Sequence, residues 1–163
     1  MEKVIFLDVD GVLNCNSSKS NCHGFLGVDK DKVQRLSKIV QETGAYIVLS
    51  SDWKYGWEKD KNKCEPHGKY LTNHLWKKGK VRIKDKTPNS APCDYFDERG
   101  WEIKEWLKKH PEVEAWVVLD DVDFFDFYKY PEVMDHLVLT DEWEGLTDQD
   151  VEKAIEILTV RGD

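Results

Sequence analysis

Met1-Glu-Lys-Val-Ile-Phe-Leu-Asp-Val-Asp-Gly-Val-Leu-Asn14 opens the chain, and its reading decides the fold. Val4-Ile-Phe-Leu7 is an uninterrupted apolar run, the pattern of a strand buried on both faces of a parallel sheet. It ends on two carboxylates, Asp8 and Asp10, and Gly11 lets the chain turn. Alternation places both carboxylates on one side, at the carboxyl edge where open α/β sheets bind ligands. Two carboxylates this close repel unless a cation lies between them or one keeps its proton. Asp-x-Asp-Gly also opens calcium loops, but those need further oxygen ligands at fixed steps and a closing Glu. Here the chain continues Val12-Leu-Asn-Cys-Asn16.

Outward from this strand, Asn14 to Val28 is a polar loop with Gly24 and Gly27. Asp29 to Thr43 has a helical pattern, with Val33, Leu36, Ile39 and Val40 on one face and Gly44 as the stop. Ala45-Tyr-Ile-Val-Leu49 is a second buried strand leading into Ser50 and Ser51. A strand, a helix and a strand in this order give a right-handed crossover and a parallel sheet. Residues 52–98 are the least regular stretch, with Asp97 placed to cap the next helix. That helix turns Trp101, Ile103, Trp106 and Leu107 inward and ends at His110-Pro111. Ala115-Trp-Val-Val-Leu119 is a third strand, ending on Asp120 and Asp121, and Leu137-Val-Leu139 a short fourth, ending on Thr140 and Asp141. Thr147 caps a last helix with Asp150 at the capping-box spacing, and Val151, Ala154, Ile155 and Leu158 form its apolar stripe. The expected class is α/β, three-layered, with a central parallel sheet in one domain spanning 1–163.

Three strands thus end in polar, chemistry-bearing residues: Asp8 and Asp10, Ser50 and Ser51, Asp120 and Asp121. Asp8-Val-Asp-Gly-Val12 resembles the opening motif of the haloacid dehalogenase (HAD) superfamily of phosphotransferases, and the later strand ends follow in that superfamily's order. The resemblance implies a Rossmann-like HAD fold, and the inserts at 15–27 and 53–98 are too short for a large cap domain, so a minimal cap is expected. The resemblance also implies Asp8 as the nucleophile that becomes an aspartyl phosphate and Asp10 as the general acid/base. Ser50, with Ser51 beside it, would bind the transferring phosphoryl group. Asp121 would ligate Mg²⁺ together with Asp8 and the main-chain carbonyl of Asp10, and Asp120 would support the metal or a phosphate-binding cation. That cation is Arg99, with Lys104 and Lys86 as alternatives. Arg99-Gly-Trp-Glu-Ile-Lys-Glu-Trp-Leu107, the Val-Val-Leu-Asp-Asp121 strand end, Leu-Val-Leu-Thr140-Asp and Gly145-Leu-Thr147 together resemble the HAD domains of Swiss Army knife RNA-repair proteins. More loosely they resemble the phosphatase half of polynucleotide kinase–phosphatases. The chain carries no Gly-x-x-x-x-Gly-Lys-Ser/Thr phosphate loop. Asp52 departs from the pattern, since related repair phosphatases often place a basic or small residue there.

Charge points to an anionic partner. Net charge is −8, yet residues 54–86 hold eleven Lys and Arg against four acids. Trp53, Tyr55, Trp57, Tyr70 and Trp76 are interleaved with those cations. Lysines that track phosphates and rings that stack bases make a single-strand groove. The plainer reading is a solvated insert at about 53–98 whose rings pack a small subdomain. No apolar stretch reaches membrane-span length, and the acid at Asp8 interrupts any signal-peptide pattern, so a cytoplasmic location is expected. Cys15, Cys22, Cys64 and Cys93 are then expected as free thiols. Zinc held by Cys15, Cys22, His23, Cys64 and His67 is disfavoured by the spacing.

The resulting expectation is a Mg²⁺-dependent phosphomonoesterase acting on a nucleotide or nucleic-acid end, with no membrane partner. The sequence carries no signal for oligomeric state. The alternatives are a small-molecule phosphatase or 5′/3′-nucleotidase and a non-catalytic binding module on the same fold.

Overall fold

A computed structural model describes residues 1–90 and 98–160. Its centre is a five-stranded, all-parallel sheet built from β1 (Glu2–Leu7), β4 (Tyr46–Leu49), β5 (Ile83–Lys86), β6 (Val113–Asp120) and β7 (Leu137–Leu139), in the order β5-β4-β1-β6-β7. A two-stranded hairpin, β2 (Asn21–Cys22) and β3 (Phe25–Leu26), stands in the loop after β1. The helices are α1 (Lys30–Thr43), α2 (Pro66–Gly79), α3 (Arg99–Lys108), the short α4 (Pro131–Asp135) and α5 (Asp148–Thr159).

Strand alternation divides the core into two layers, one on each side of the sheet. Ile5, Leu7, Ile47, Leu49, Val117 and Leu119 face one core with Val33, Leu36 and Ile39 of α1, Leu71 and Leu75 of α2, and Val151, Ala154 and Leu158 of α5. Val4, Phe6, Val48 and Val118 face the other, with Ile103 and Trp106 of α3, Phe127 and Val133. Phe6 meets Trp106 and Trp116 edge-on, with ring centroids 5.5 and 5.9 Å apart. Each α1, α2 and α5 stripe sits over one sheet face as helical periodicity demands.

The predicted ends of α1 and the predicted start of α5 hold. Asp29 is the extended N-cap of α1 and Gly44 its left-handed C-cap, and Thr147 and Asp150 form a reciprocal capping box on α5. The stretch 52–98 is more ordered than its sequence suggests, containing α2 and β5. β5 escapes a hydrophobic reading because it is a sheet-edge strand, Ile-Lys-Asp-Lys, with charges along it. α2 begins on Pro66 and buries only Gly68, Leu71 and Leu75, a stripe too narrow to stand out. Asp97, the expected cap of α3, and Cys93 lie outside the described residues.

Register positions the strand ends. Leu7 is in line with Leu49 on one side and Leu119 on the other, so the next residues, Asp8, Ser50 and Asp120, stand side by side at the carboxyl edge. The ladder continues through them: Ser50 N–H donates to Leu7 O and Asp8 N–H to Leu119 O, both at 2.9 Å. Thr87 after β5 and Thr140 after β7 extend this polar row. Both are buried, and their N–H groups donate to Leu49 O and Asp120 O.

Candidate active site

Asp8, Asp120 and Asp121 each present a carboxylate oxygen within 4.8 Å of the others. Asp8 and Asp120 are buried and Asp121 is half-buried. Burial pushes the Asp8 carboxyl well above the usual range; the Asp120 charge pushes the same way and Arg99 opposes it. Asp120 is raised to about 6, chiefly by burial and against the pull of Arg99. One guanidinium faces these acids: Arg99 Nη1 lies 2.8 Å from Asp120 Oδ2 and 3.3 Å from Asp8 Oδ1, and Nη2 lies 3.6 Å from Asp52. Three buried or half-buried acids against one cation leave an excess of negative charge in a site that solvates it poorly. An all-oxygen donor set of this kind suits a hard divalent cation such as Mg²⁺.

Gly11 makes this packing possible. It has φ +78°, and a Cβ there would lie 2.2 Å from Asp121 Oδ2. The turn therefore needs glycine for its left-handed backbone and for the close approach of Asp121. Its carbonyl accepts from Thr140 Oγ1 at 2.7 Å, tying the end of β7 to the loop after β1.

The Asp10 carboxylate stands outside the acidic cluster and is exposed. Asn14 Nδ2 donates to its Oδ1 at 2.9 Å, and the Trp53 indole N–H donates to its Oδ2 at 3.1 Å. Asn14 also accepts from Gly11 N–H and donates to Gly27 O, so one buried amide joins the turn, the acid and the following loop. Ser50 is 2% exposed, and its Oγ has no hydrogen-bond partner among the described residues. A buried hydroxyl left unpaired is costly and sits beside Asp8 in the sheet. Ser51 acts on its own loop instead: its Oγ accepts from Trp53 N–H and caps the 3₁₀ turn Asp52–Gly56.

Arg99 is presented by the first turn of α3. Asp126, buried in the loop after β6, accepts from Gly100 N–H at 3.1 Å and Trp101 N–H at 2.8 Å. This carboxylate satisfies the helix's orphan donors from outside the helix. Lys54 pairs with Glu102 of α3, and both are buried. The other two cations considered lie elsewhere. Lys104 pairs with Glu132, and Lys86 donates to Lys54 O, Trp57 O and Glu58. Of the three, Arg99 is the one brought to the acids.

Asn14, Trp53, Asp126 and Thr140 join the site without having been singled out for it. Trp53 reads from sequence as a stacking ring, and its indole N–H also holds Asp10. Asn14, four residues past Asp10 in a polar loop, has a local signal. Thr140 follows the fourth predicted strand as its polar end, and Asp126 arrives through tertiary packing alone.

The model of the family described as the HAD domain in Swiss Army Knife RNA repair proteins matches residues 4–151, from β1 into α5. The chain belongs to this family. Among curated proteins no match is found. For this HAD domain, membership supports a phosphatase-like hydrolase at the level of the superfamily, and HAD domains generally use Mg²⁺. Among the described residues, Asp8, Asp120 and Asp121 are the cluster with the capacity to hold a metal ion. Cys15, Cys22 and Cys64 are free and buried. No described helix is long and apolar enough to cross a membrane.

Proposed function

We propose that the chain hydrolyses a phosphomonoester on a nucleotide or polynucleotide end, through a phosphorylated Asp8. The observation that carries this is the convergence of Asp8, Asp120 and Asp121 with Arg99. The nucleotide part rests on the family's description as domains of RNA repair proteins.

Asp8, Asp121 and the Asp10 main-chain carbonyl would hold Mg²⁺, with Asp120 in support; the ion would offset the repulsion between a carboxylate nucleophile and a phosphate dianion. An Asp8 oxygen attacks phosphorus, the phosphorus–oxygen ester bond breaks, and Asp8 carries the phosphoryl group. Asp10, once it has taken up a proton, gives it to the departing alcohol oxygen. It then accepts a proton from the water that attacks the acyl phosphate, which returns Asp8 as a carboxylate and releases phosphate. Asn14 and Trp53 hold Asp10 in place for both transfers. The Ser50 hydroxyl and the Arg99 guanidinium receive the equatorial oxygens as charge spreads over them.

The test is phosphate release from 3′- and 5′-phosphorylated mononucleotides and oligonucleotides, with Mg²⁺ and after chelation. Release that chelation abolishes supports the reading. No release from any member by the folded protein would favour a binding module on the same fold.

A further inference from the structure

Beside the Asp10 carboxylate lies a cavity that the steps above do not use. It measures about 580 Å³, within the range of about 300–1,000 Å³ typical of small-molecule sites. Its lining comes from three elements. The β2–β3 hairpin gives Cys22, His23 and Phe25; the turn after β4 gives Asp52 and Trp53; the entry to α2 gives Glu65, Pro66 and His67.

Two features of this lining define an occupant. The first is its rings. Phe25 is 78% exposed although it sits on an ordered hairpin, and an apolar ring held in solvent at a cavity wall is a ready stacking surface. Trp53 supplies a second ring from another element, fixed by its bond to Asp10 and by an edge-on contact with His67 at 5.9 Å. Gly56 lets His67 close in, since a Cβ there would lie 2.1 Å from His67 Nε2.

The second feature is charge. Asp10, Asp52 and Glu65 line the cavity, and among the described residues no Lys or Arg does. The lysines of 54–86 are largely engaged elsewhere. Lys54 pairs with Glu102, Lys59 with Asp85 and Lys84 with Glu2. Lys78 and Lys86 donate to backbone carbonyls, and Lys80 and Arg82 lie over Trp76. A chain of phosphates entering here would meet carboxylates along the wall.

We infer that this cavity receives the leaving group as a single uncharged nucleoside, stacked on Phe25 and Trp53, and that Asp52 and Glu65 reject a continuing polynucleotide. The inference rests on the phosphatase reading above and narrows its substrate to mononucleotides. Asp10 stands at the cavity wall, where the departing hydroxyl of a bound nucleoside takes its proton. Phe25 sets substrate affinity and is not a member of the acidic cluster.

The experiment compares kcat/KM for a nucleoside monophosphate, the base-free ribose phosphate, and the same nucleotide at the end of an oligonucleotide. The mononucleotide is expected to exceed both by about tenfold or more, the scale of one base–ring stack. Phe25→Ala should raise KM for the mononucleotide about tenfold with kcat kept, and leave ribose phosphate unchanged. Glu65→Lys should narrow the gap to the oligonucleotide severalfold. Equal rates with and without the base, or an oligonucleotide preferred over the mononucleotide, would overturn the inference. Calorimetry with the unphosphorylated nucleoside, on the wild-type protein and Phe25→Ala, separates the two readings. Binding that the Phe25 variant weakens, without hydrolysis of any ester, would sink the phosphatase reading and keep the pocket. Hydrolysis without nucleoside binding at millimolar concentration would sink the pocket and keep the phosphatase.

Discussion

Two regions hold the unusual charge of this chain, and they treat it in opposite ways. The carboxyl edge gathers Asp8, Asp120 and Asp121 around one Arg99 and leaves negative charge in excess at a largely buried site. The basic stretch 54–86 looks stronger in sequence, yet its charge is taken up piece by piece. Lys54 meets Glu102, Lys78 meets Val28 O, and Lys86 meets Lys54 O, Trp57 O and Glu58. Part of its aromatic content is absorbed too: Trp57 is buried and Tyr70 Oη accepts from Val28 N–H, while Tyr55 and Trp76 stay exposed. The lesson is that charge density alone does not mark a site; charge left uncompensated under burial does.

Four changes would break or sharpen that contrast. The largest effect belongs to Asp8→Asn, which should lower turnover by at least about 10³-fold while the fold survives. The metal-free variant should unfold at a higher temperature than wild type, because a desolvated acid has been removed. A melting curve beside a phosphate-release assay reads both. Next is Lys54→Ala, which strands the Glu102 carboxylate in the interior and should cost about 3–5 kcal/mol. Chemical denaturation of this variant beside Lys61→Ala and Lys69→Ala, at exposed positions, should show about 0.5 kcal/mol or less for the latter two. Comparable losses at all three would erase the distinction between structural and solvated lysines.

Third, Gly11→Ala should cost about 1–3 kcal/mol through its positive φ and should weaken Mg²⁺ binding, because the new Cβ displaces Asp121. Calorimetric titration with Mg²⁺ detects the second effect. The smallest effect is on pH dependence. Asp120 holds its proton up to about 6 in the folded protein, above the ordinary Asp value of about 3.9. Folding therefore takes up a proton between these values, and metal-free stability falls as pH rises through them. The raised Asp8 acts in the same direction. Saturating Mg²⁺ should flatten or reverse that slope, and melting temperatures from pH 4 to 7 with and without the ion would show it.

The same contrast explains what was legible beforehand. Val4–Leu7, Ala45–Leu49 and Ala115–Leu119 are apolar runs with polar ends, so strand positions and the polar residues that terminate them could be read directly. Parallel pairing then fixed Asp8, Ser50 and Asp120 at one level, because each follows an in-register leucine. Gly44 and Thr147 marked helix ends by local chemistry. β5 and α2 were hidden because an edge strand tolerates charge and a helix packed on one side needs few apolar residues. Two further contacts of the site were hidden for another reason. Trp53 reaches Asp10 across 43 positions and Asp126 reaches Gly100 across 26, and no periodicity encodes such contacts.

The central claim, that the acids at the carboxyl edge are reactive and Asp8 is the nucleophile, has a direct test. The protein is mixed with Mg²⁺ and a phosphomonoester that it hydrolyses, quenched during turnover, and treated with borohydride, which reduces an acyl phosphate to an alcohol. Peptide mass spectrometry then locates the change. The account predicts conversion of Asp8 to homoserine, dependent on both substrate and Mg²⁺. Turnover that continues with Asp8 unmodified, or a modified residue elsewhere, would contradict it.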